Sequence, residues 1–265
     1  MYEFDYHRPR TLGEARDLIA GNEEAKLLAG GMTLLPTMKL RLARPSDLVD
    51  LGDIDELQGI AIDGNALEIG AAVRHADVAG SADVQRLIPA LAFLAGQIGD
   101  PQVRNRGTLG GSIANSDPAA DYPAAVLGLG ASIRTDRREI PADDYFLGMF
   151  ETALEPDEIV RSVRFPVPKR AGYAKFPNPA SRYAIVGVMV AETGGGVRVA
   201  VTGAGPCAFR VTAFEDALKA DFSAAALDGL DFDAPDLNSD LHASAEYRVH
   251  LVGVMAKRAV QAASG

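Results

Sequence analysis

Gly99-Asp100-Pro101-Gln102-Val103-Arg104-Asn105-Arg106-Gly107-Thr108-Leu109-Gly110-Gly111-Ser112-Ile113-Ala114-Asn115-Ser116-Asp117-Pro118-Ala119-Ala120-Asp121 is rich in Gly, Asn, Asp and Pro and poor in large apolar side chains. Such residues adopt unusual backbone angles and leave N–H groups exposed. Gly110-Gly111 carries no Cβ to hold a ligand off the backbone, and Thr108 and Ser112 flank the pair with hydroxyls. A concave run of N–H and O–H donors suits a pyrophosphate. The same composition also suits a long surface loop that only holds its own turns.

A second stretch narrows the choice. Leu27-Leu28-Ala29-Gly30-Gly31-Met32-Thr33-Leu34-Leu35-Pro36-Thr37-Met38-Lys39 reads as a short apolar strand, a Gly-Gly turn and a helix. Thr33 is placed to cap that helix, with Pro36 in its first turn. Strand, glycine turn and helix start form a phosphate cradle of the kind nucleotides use. Neither stretch fits G-x-G-x-x-G or G-x-x-x-x-G-K-[ST], so a Rossmann fold or a P-loop is not supported.

These residues carry a family resemblance. Residues 29–39, then 102–112 and 117–121, resemble the FAD-binding medium subunit of the molybdenum hydroxylases. That group includes the flavoprotein subunits of aerobic carbon monoxide dehydrogenase and the FAD segment of xanthine dehydrogenase. The resemblance runs over nearly the whole chain. It implies a two-part FAD-binding domain of the vanillyl-alcohol-oxidase (PCMH) type over residues 1–168. A smaller sheet-plus-helices domain of the carbon monoxide dehydrogenase flavoprotein C-terminal type would follow over 169–265.

By the same resemblance, Leu27, Leu28, Ala29, Gly30, Gly31, Met32, Thr33 and Leu34 wrap the phosphates of FAD with main-chain N–H groups. Thr108, Gly110, Gly111 and Ser112 hold the other side of the pyrophosphate. Asp121 bonds a cofactor hydroxyl or ring nitrogen, the other reading at a helix start being a cap or a dipole partner. Asn115 either makes a polar contact to FAD or closes a turn. Ile98 and Val160 pack on the cofactor or are plain core. Lys175 sets a positive charge near the flavin ring or is a solvated lysine on an alternating strand. Tyr183 lies against the flavin face or merely begins a strand. The first motif commonly has Gln or His before Ser or Thr, where this chain has Met32-Thr33, so Met32 contributes only its backbone. The second often ends in Asn, where this chain has Ser112.

No catalytic constellation and no metal cluster is readable. The resemblance puts substrate oxidation on a large molybdopterin subunit. A small subunit with two [2Fe-2S] clusters relays electrons, most simply in a dimer of heterotrimers, and an external acceptor takes them from FAD. A self-sufficient flavin oxidoreductase of the same fold, or a scaffold without cofactor, are the other readings. The former normally needs a longer substrate domain than the roughly 95 residues after Pro168.

Composition agrees with a packed globular chain: 265 residues, 48% apolar and 23% charged. The net charge of −10 argues against nucleic acid and against an anionic membrane surface as partners. One cysteine, Cys207, excludes an internal disulfide and a Cys-ligated cluster, and reads as a small buried apolar residue. The start of the chain has no basic-then-apolar leader and no stretch is long and apolar enough to span a membrane, so the expectation is a cytoplasmic protein.

Along the chain, 11–14 (Thr-Leu-Gly-Glu) fits a capping box opening a helix to Ile19. Residues 60–69 form a hairpin about Asp63-Gly64-Asn65. Residues 74–93 are mostly helical scaffold with Ser81 as a cap. A long cradle loop follows, then a helix to Leu129, a strand at 131–134 and another at 158–165. The segment 166–172 is the domain boundary. Beyond it come strands at 173–176, 185–192 and 197–202, helices at 210–219 and 223–227, an acidic linker at 231–240, and a long helix at 244–263 with Tyr247, Leu251, Val254 and Met255 at helical spacing. Hairpins, short helices and no regular strand–helix alternation make the fold class α+β.

Overall fold

The chain begins with a small strand–helix unit. The computed structural model describes residues 1–233 and 236–264. Strand β1 (Asp5–His7) leads to helix α1 (Leu12–Ile19), then β2 (Lys26–Leu28), α2 (Leu34–Lys39) and β3 (Asp47–Asp50). The strands pair in parallel in the order β1-β3-β2. Thr11 caps α1, its Oγ1 accepting from Glu14 N, while Glu14 Oε2 accepts from Arg10 N. Thr33 does not cap α2: its backbone is already helical and its side chain makes no cap bond.

Next come β4 (Ile60–Asp63) and β5 (Ala66–Gly70), the hairpin read from Gly64-Asn65. The 74–93 helix is three helices: α3 (His75–Gly80), α4 (Ala82–Leu87) capped by Ser81, and α5 (Pro89–Gly96) opened by a proline. The expected long loop holds two more, α6 (Pro101–Arg104) and α7 (Leu109–Asn115). Thr108 caps α7, so Gly110-Gly111 lies in a helical turn, because the cap hydroxyl offsets the weak helix propensity of glycine. Helix α8 (Tyr122–Gly128) follows, then β6 (Ser132–Thr135), β7 (Glu139–Pro141), a small hairpin of β8 (Phe146–Gly148) and β9 (Glu151–Thr152), and β10 (Val160–Pro166). An antiparallel five-stranded sheet runs β4-β5-β10-β6-β7.

After Pro168 the chain forms β11 (Arg170–Pro177), β12 (Ala184–Thr193), β13 (Gly196–Thr202) and β14 (Phe209–Arg210), an antiparallel sheet in that order. Helix α9 (Thr212–Ala220) and the terminal α10 (Ala245–Ser264) pack on it. The near-continuous apolar run of β12 reflects burial on both faces. Val186, Val188 and Val190 belong to the core under α9 and α10. Met189 and Ala191 face the other way, into the core shared with α5, α8 and the five-stranded sheet. Burial along α10 follows Leu251, Val252, Met255, Ala256 and Ala259, while Tyr247 stands exposed, stacked on His250. Cys207 is half-buried rather than core. Within the acidic linker at 231–240, residues 234 and 235 lie outside the described residues. No helix among the described residues is long and apolar enough to cross a membrane.

Candidate functional site

A cleft of about 590 Å³ opens where the parallel sheet, α3, α7, β10 and the β11–β12 connection meet. That volume lies in the usual range of small-molecule and cofactor sites, about 300–1,000 Å³. Leu27, Leu28, Ala29, Gly30, Gly31, Met32, Thr33, Leu34, Ile98, Thr108, Gly110, Gly111, Ser112, Asn115, Asp121, Val160 and Tyr183 all line it. Lys175 alone of the sequence-predicted residues does not.

The first glycine turn is open. Among the described residues, the N–H groups of Gly30, Gly31, Met32, Thr33 and Leu34 donate to no backbone or side-chain acceptor. Gly31 takes a positive φ of 72°, which lets consecutive amides point to one side. Met32 is 38% exposed, so its thioether stands off while its amide remains in the turn.

The second turn differs. Leu109 N donates to Val73 O at 3.0 Å, Gly110 N to Ala71 O at 2.8 Å and Ser112 N to Thr108 O at 3.0 Å. Gly111 N donates to Thr108 Oγ1 at 3.1 Å. The expectation that Gly110 and Gly111 present main-chain donors is therefore corrected: those amides are spent within the fold. What this side offers is side chains, the hydroxyl hydrogen of Thr108, the hydroxyl of Ser112 and the amide of Asn115.

The glycines here admit protein rather than ligand. A Cβ on Gly110 would lie 2.5 Å from Ala71 Cβ and 2.8 Å from its Cα. One on Gly30 would run into Arg106 O and lie 2.6 Å from Gly107 Cα. The two turns thus touch at Gly30 and Gly107, and the cleft floor is built from that contact.

The lining is mixed. Leu57, Leu154, Ile159 and Val160 supply apolar surface, with Ala72 N bonded to Leu57 O at 2.9 Å. Glu158, also in the lining, is held near a pKa of about 2 by Arg138, whose Nε and Nη2 donate to it at 2.8 and 2.7 Å. Tyr183 is 45% exposed near Asp117, whose burial pushes its own pKa up. Asp121 is buried and caps nothing. Its carboxylate accepts from Tyr173 Oη at 2.5 Å and pairs with Lys175 Nζ at 2.9 Å. Burial raises the Asp121 pKa and Lys175 opposes that rise. Lys175 Nζ also donates to Gln97 O at 2.9 Å and Arg182 O at 3.0 Å. Lys175 thus ties α5, α8 and the Arg182–Tyr183 turn together, and the contact the structure shows for it is with Asp121.

The sequence reading missed His75, which it placed in a scaffold helix. His75 is only 4% exposed, lines the cleft, and packs its ring on Tyr122 with centroids 5.3 Å apart. Burial, then Arg104, pulls its pKa down to about 4. Ser181 and Arg182 were missed as well. A lone histidine and a Ser-Arg pair carry no spacing signal that could have marked them. Among the described residues no group of His, Cys, Asp and Glu is arranged to hold a metal ion.

Residues 2–168 match the family model for the FAD binding domain in molybdopterin dehydrogenase, and 171–263 match that of the CO dehydrogenase flavoprotein C-terminal domain. The carbon monoxide dehydrogenase medium chain of Hydrogenophaga pseudoflava is 38% identical over 98% of this chain and 96% of its own. The nicotine 6-hydroxylase medium subunit of Paenarthrobacter nicotinovorans is 36% identical over 96% and 95%. A solved carbon monoxide dehydrogenase from Hydrogenophaga pseudoflava, lacking the Mo-pyranopterin moiety, superposes with a TM-score of 0.88 at 38% identity, covering 99% of this chain and 98% of that one. With both domains matched and relatives aligned end to end, the chain belongs to the family of FAD-binding flavoprotein subunits of the molybdopterin dehydrogenases, which are oxidoreductases.

Proposed function

We propose that this chain binds one FAD without a covalent link and carries electrons between a partner subunit and an external acceptor. The observation that carries the reading is the run of unpaired N–H groups from Gly30 to Leu34 at the floor of a cofactor-sized cleft. Backbone donors of this kind neutralise a pyrophosphate without a charged side chain. Thr108, Ser112 and Asn115 face it from the opposite wall. The apolar lining of Ile159 and Val160 suits a flat ring system, and Tyr183 supplies an aromatic face. The residues present fit FAD, and the PCMH-type fold is the architecture we assign to the first domain, with residues 1–168 and 169–265 as the two units.

When bound, FAD supplies the redox chemistry. The chain's own residues bind and orient it. The Lys175–Asp121–Tyr173 group fixes the wall that carries Tyr183, and Ile98 closes the cleft beside it.

The relatives are medium subunits of multi-subunit enzymes. We infer for this chain a large molybdopterin subunit and a small subunit with two [2Fe-2S] clusters, in a dimer of heterotrimers, working in the cytoplasm. This chain has one cysteine and so no ligand set for such clusters. The test is anaerobic reduction of the flavin. The isolated chain, loaded with FAD, should stay oxidised with the holoenzyme's substrate and bleach when both other subunits are added. Bleaching of the chain alone would establish a self-sufficient oxidoreductase instead. Acid denaturation should release all flavin from the polypeptide.

A further inference from the structure

We propose that His75 is a ligand-binding residue, its Nε2–H donating a hydrogen bond to a phosphate oxygen of the dinucleotide at the junction of the two glycine turns. The proposal rests on the FAD reading above. It starts from an imbalance. Among the described residues neither ring nitrogen of His75 has a hydrogen-bond partner, and Nδ1 is fully buried in that state. A buried imidazole with a structural role ordinarily finds a protein partner for at least one nitrogen, since leaving a buried polar group unsatisfied costs about 1–3 kcal/mol.

Placement gives Nε2, the nitrogen other than the buried Nδ1, a partner in the cleft. His75 lines the cleft, and its backbone is fixed by His75 N donating to Gly107 O at 3.0 Å. Nε2 lies against Gly107, where an added Cβ would come within 2.5 Å of it. Gly107 in turn lies against Gly30, the first of the open amides. Glycine at 107 therefore leaves the imidazole edge uncovered beside the unpaired donors of the first turn. The tautomer follows from Nδ1. Orphaned buried N–H groups are rarer than orphaned acceptors, so the proton sits on Nε2. The ring's burial and the nearby Arg104 keep it neutral at physiological pH. It thus adds one directional donor to the anion site and no charge.

The experiment uses the full chain and titrates FAD, ADP and adenosine into wild type, His75→Gln and His75→Leu. Glutamine can place an amide N–H where Nε2 lies, and leucine fills similar space with no donor. His75→Leu should weaken FAD and ADP about tenfold each, leave adenosine unchanged, and His75→Gln should recover most of the loss. Equal FAD and ADP affinities in wild type and His75→Leu would overturn the proposal with the FAD reading intact. A wild-type chain that binds no FAD would overturn both. Nitrogen-15 NMR of the wild-type histidines gives a readout that needs no variant to fold. His75 should be the Nε2–H tautomer and its Nε2 resonance should move on adding ADP. An Nδ1–H tautomer, or a resonance that ADP leaves in place, would overturn it.

Discussion

Gly30-Gly31 and Gly110-Gly111 are the same dipeptide facing each other across one cleft, and the fold uses them in opposite ways. The first pair leaves its amides, and those through Leu34, without acceptors. The second gives its amides to Ala71 O and to its own cap, Thr108. The difference arises from what lies behind each pair. Behind the second is the chain at Ala71–Val73, leaving β5, which needs donors and sits close enough to take them. The first pair also abuts protein, at Arg106 and Gly107, but no acceptor there takes its amides. A glycine pair therefore marks close approach, and whether protein or ligand does the approaching is decided by remote segments. The wall of the second pair should be stability machinery and the turn of the first should be binding machinery.

The largest test of that division is Lys175→Met. Lys175 Nζ is 2.9 Å from the Asp121 carboxylate, and both side chains are about 5% exposed or less. Removing the amine leaves a buried carboxylate with Tyr173 as its remaining side-chain partner. Breaking a buried pair from one side costs about 3–5 kcal/mol. Urea unfolding of the ligand-free chain should show that loss. A loss of FAD affinity with stability unchanged would instead put Lys175 in direct contact with the cofactor.

The pH dependence of stability comes next, and it comes from His75, at the junction of the two turns. His75 is held neutral down to about pH 4 by burial, whereas the unfolded chain protonates it near its ordinary value of 6.5. Between those values the unfolded state binds the extra proton. The contribution is therefore fully present above pH 6.5 and is lost as pH falls toward 4, by roughly 3 kcal/mol in all. Urea midpoints of the ligand-free chain across that window should fall accordingly, and His75→Leu should flatten that part of the curve.

Alanine at the glycines separates the pairs directly. Gly110→Ala puts a methyl against Ala71 Cα and Cβ, and Gly30→Ala puts one against Arg106 O and Gly107 Cα. Overpacking against backbone costs about 1–3 kcal/mol. For Gly110→Ala the cost should appear as lower stability of the ligand-free chain. For Gly30→Ala, the clash displaces a turn whose amides from Gly30 to Leu34 have no protein acceptor, so FAD affinity should fall by more than stability does. Parallel effects at the two positions would break the comparison.

Much of this was legible in the sequence, and the gaps have physical causes. The capped helix after Thr11, the hairpin at Gly64-Asn65, and the strands from Tyr173 to Thr202 are set by local patterns, and they stand where the patterns put them. Residues 99–121 read as a loop because Gly-Gly has poor helix propensity, and only the Thr108 cap and packing of Leu109 and Ile113 reverse that. The fate of the Gly110 amide could not be read, since its acceptor lies about forty residues earlier, at Ala71. Lys175 and Asp121 each carry a signal in the sequence, but their pairing is a tertiary fact that no local pattern shows. Tyr247 matches the helical spacing of Leu251 yet is 43% exposed, its ring touching the sheet only edge-on at Phe176, so period alone does not distinguish it.

The smallest test uses the threonines that follow or precede each pair. Thr108 is the N-cap of α7, with extended backbone angles and its Oγ1 accepting from Gly111 N at 3.1 Å. Thr33 stands at the same formal position before α2, but its φ and ψ are helical and its hydroxyl caps nothing. Loss of a cap costs about 1 kcal/mol. Thr108→Ala should therefore lower the stability of the ligand-free chain by about that amount, because Gly111 N loses its acceptor. It should also weaken FAD modestly, since the hydroxyl hydrogen of Thr108 is one of the side-chain donors lining the cleft. Thr33→Ala should leave stability within experimental error, because no bond is lost and the residue is exposed. Its effect on FAD should be small, because the donor at that position is the amide, which alanine keeps. If Thr33→Ala destabilises the ligand-free chain as much as Thr108→Ala does, the first turn has internal bonding of its own. Its amides would then be structural, and the two glycine pairs would be alike after all.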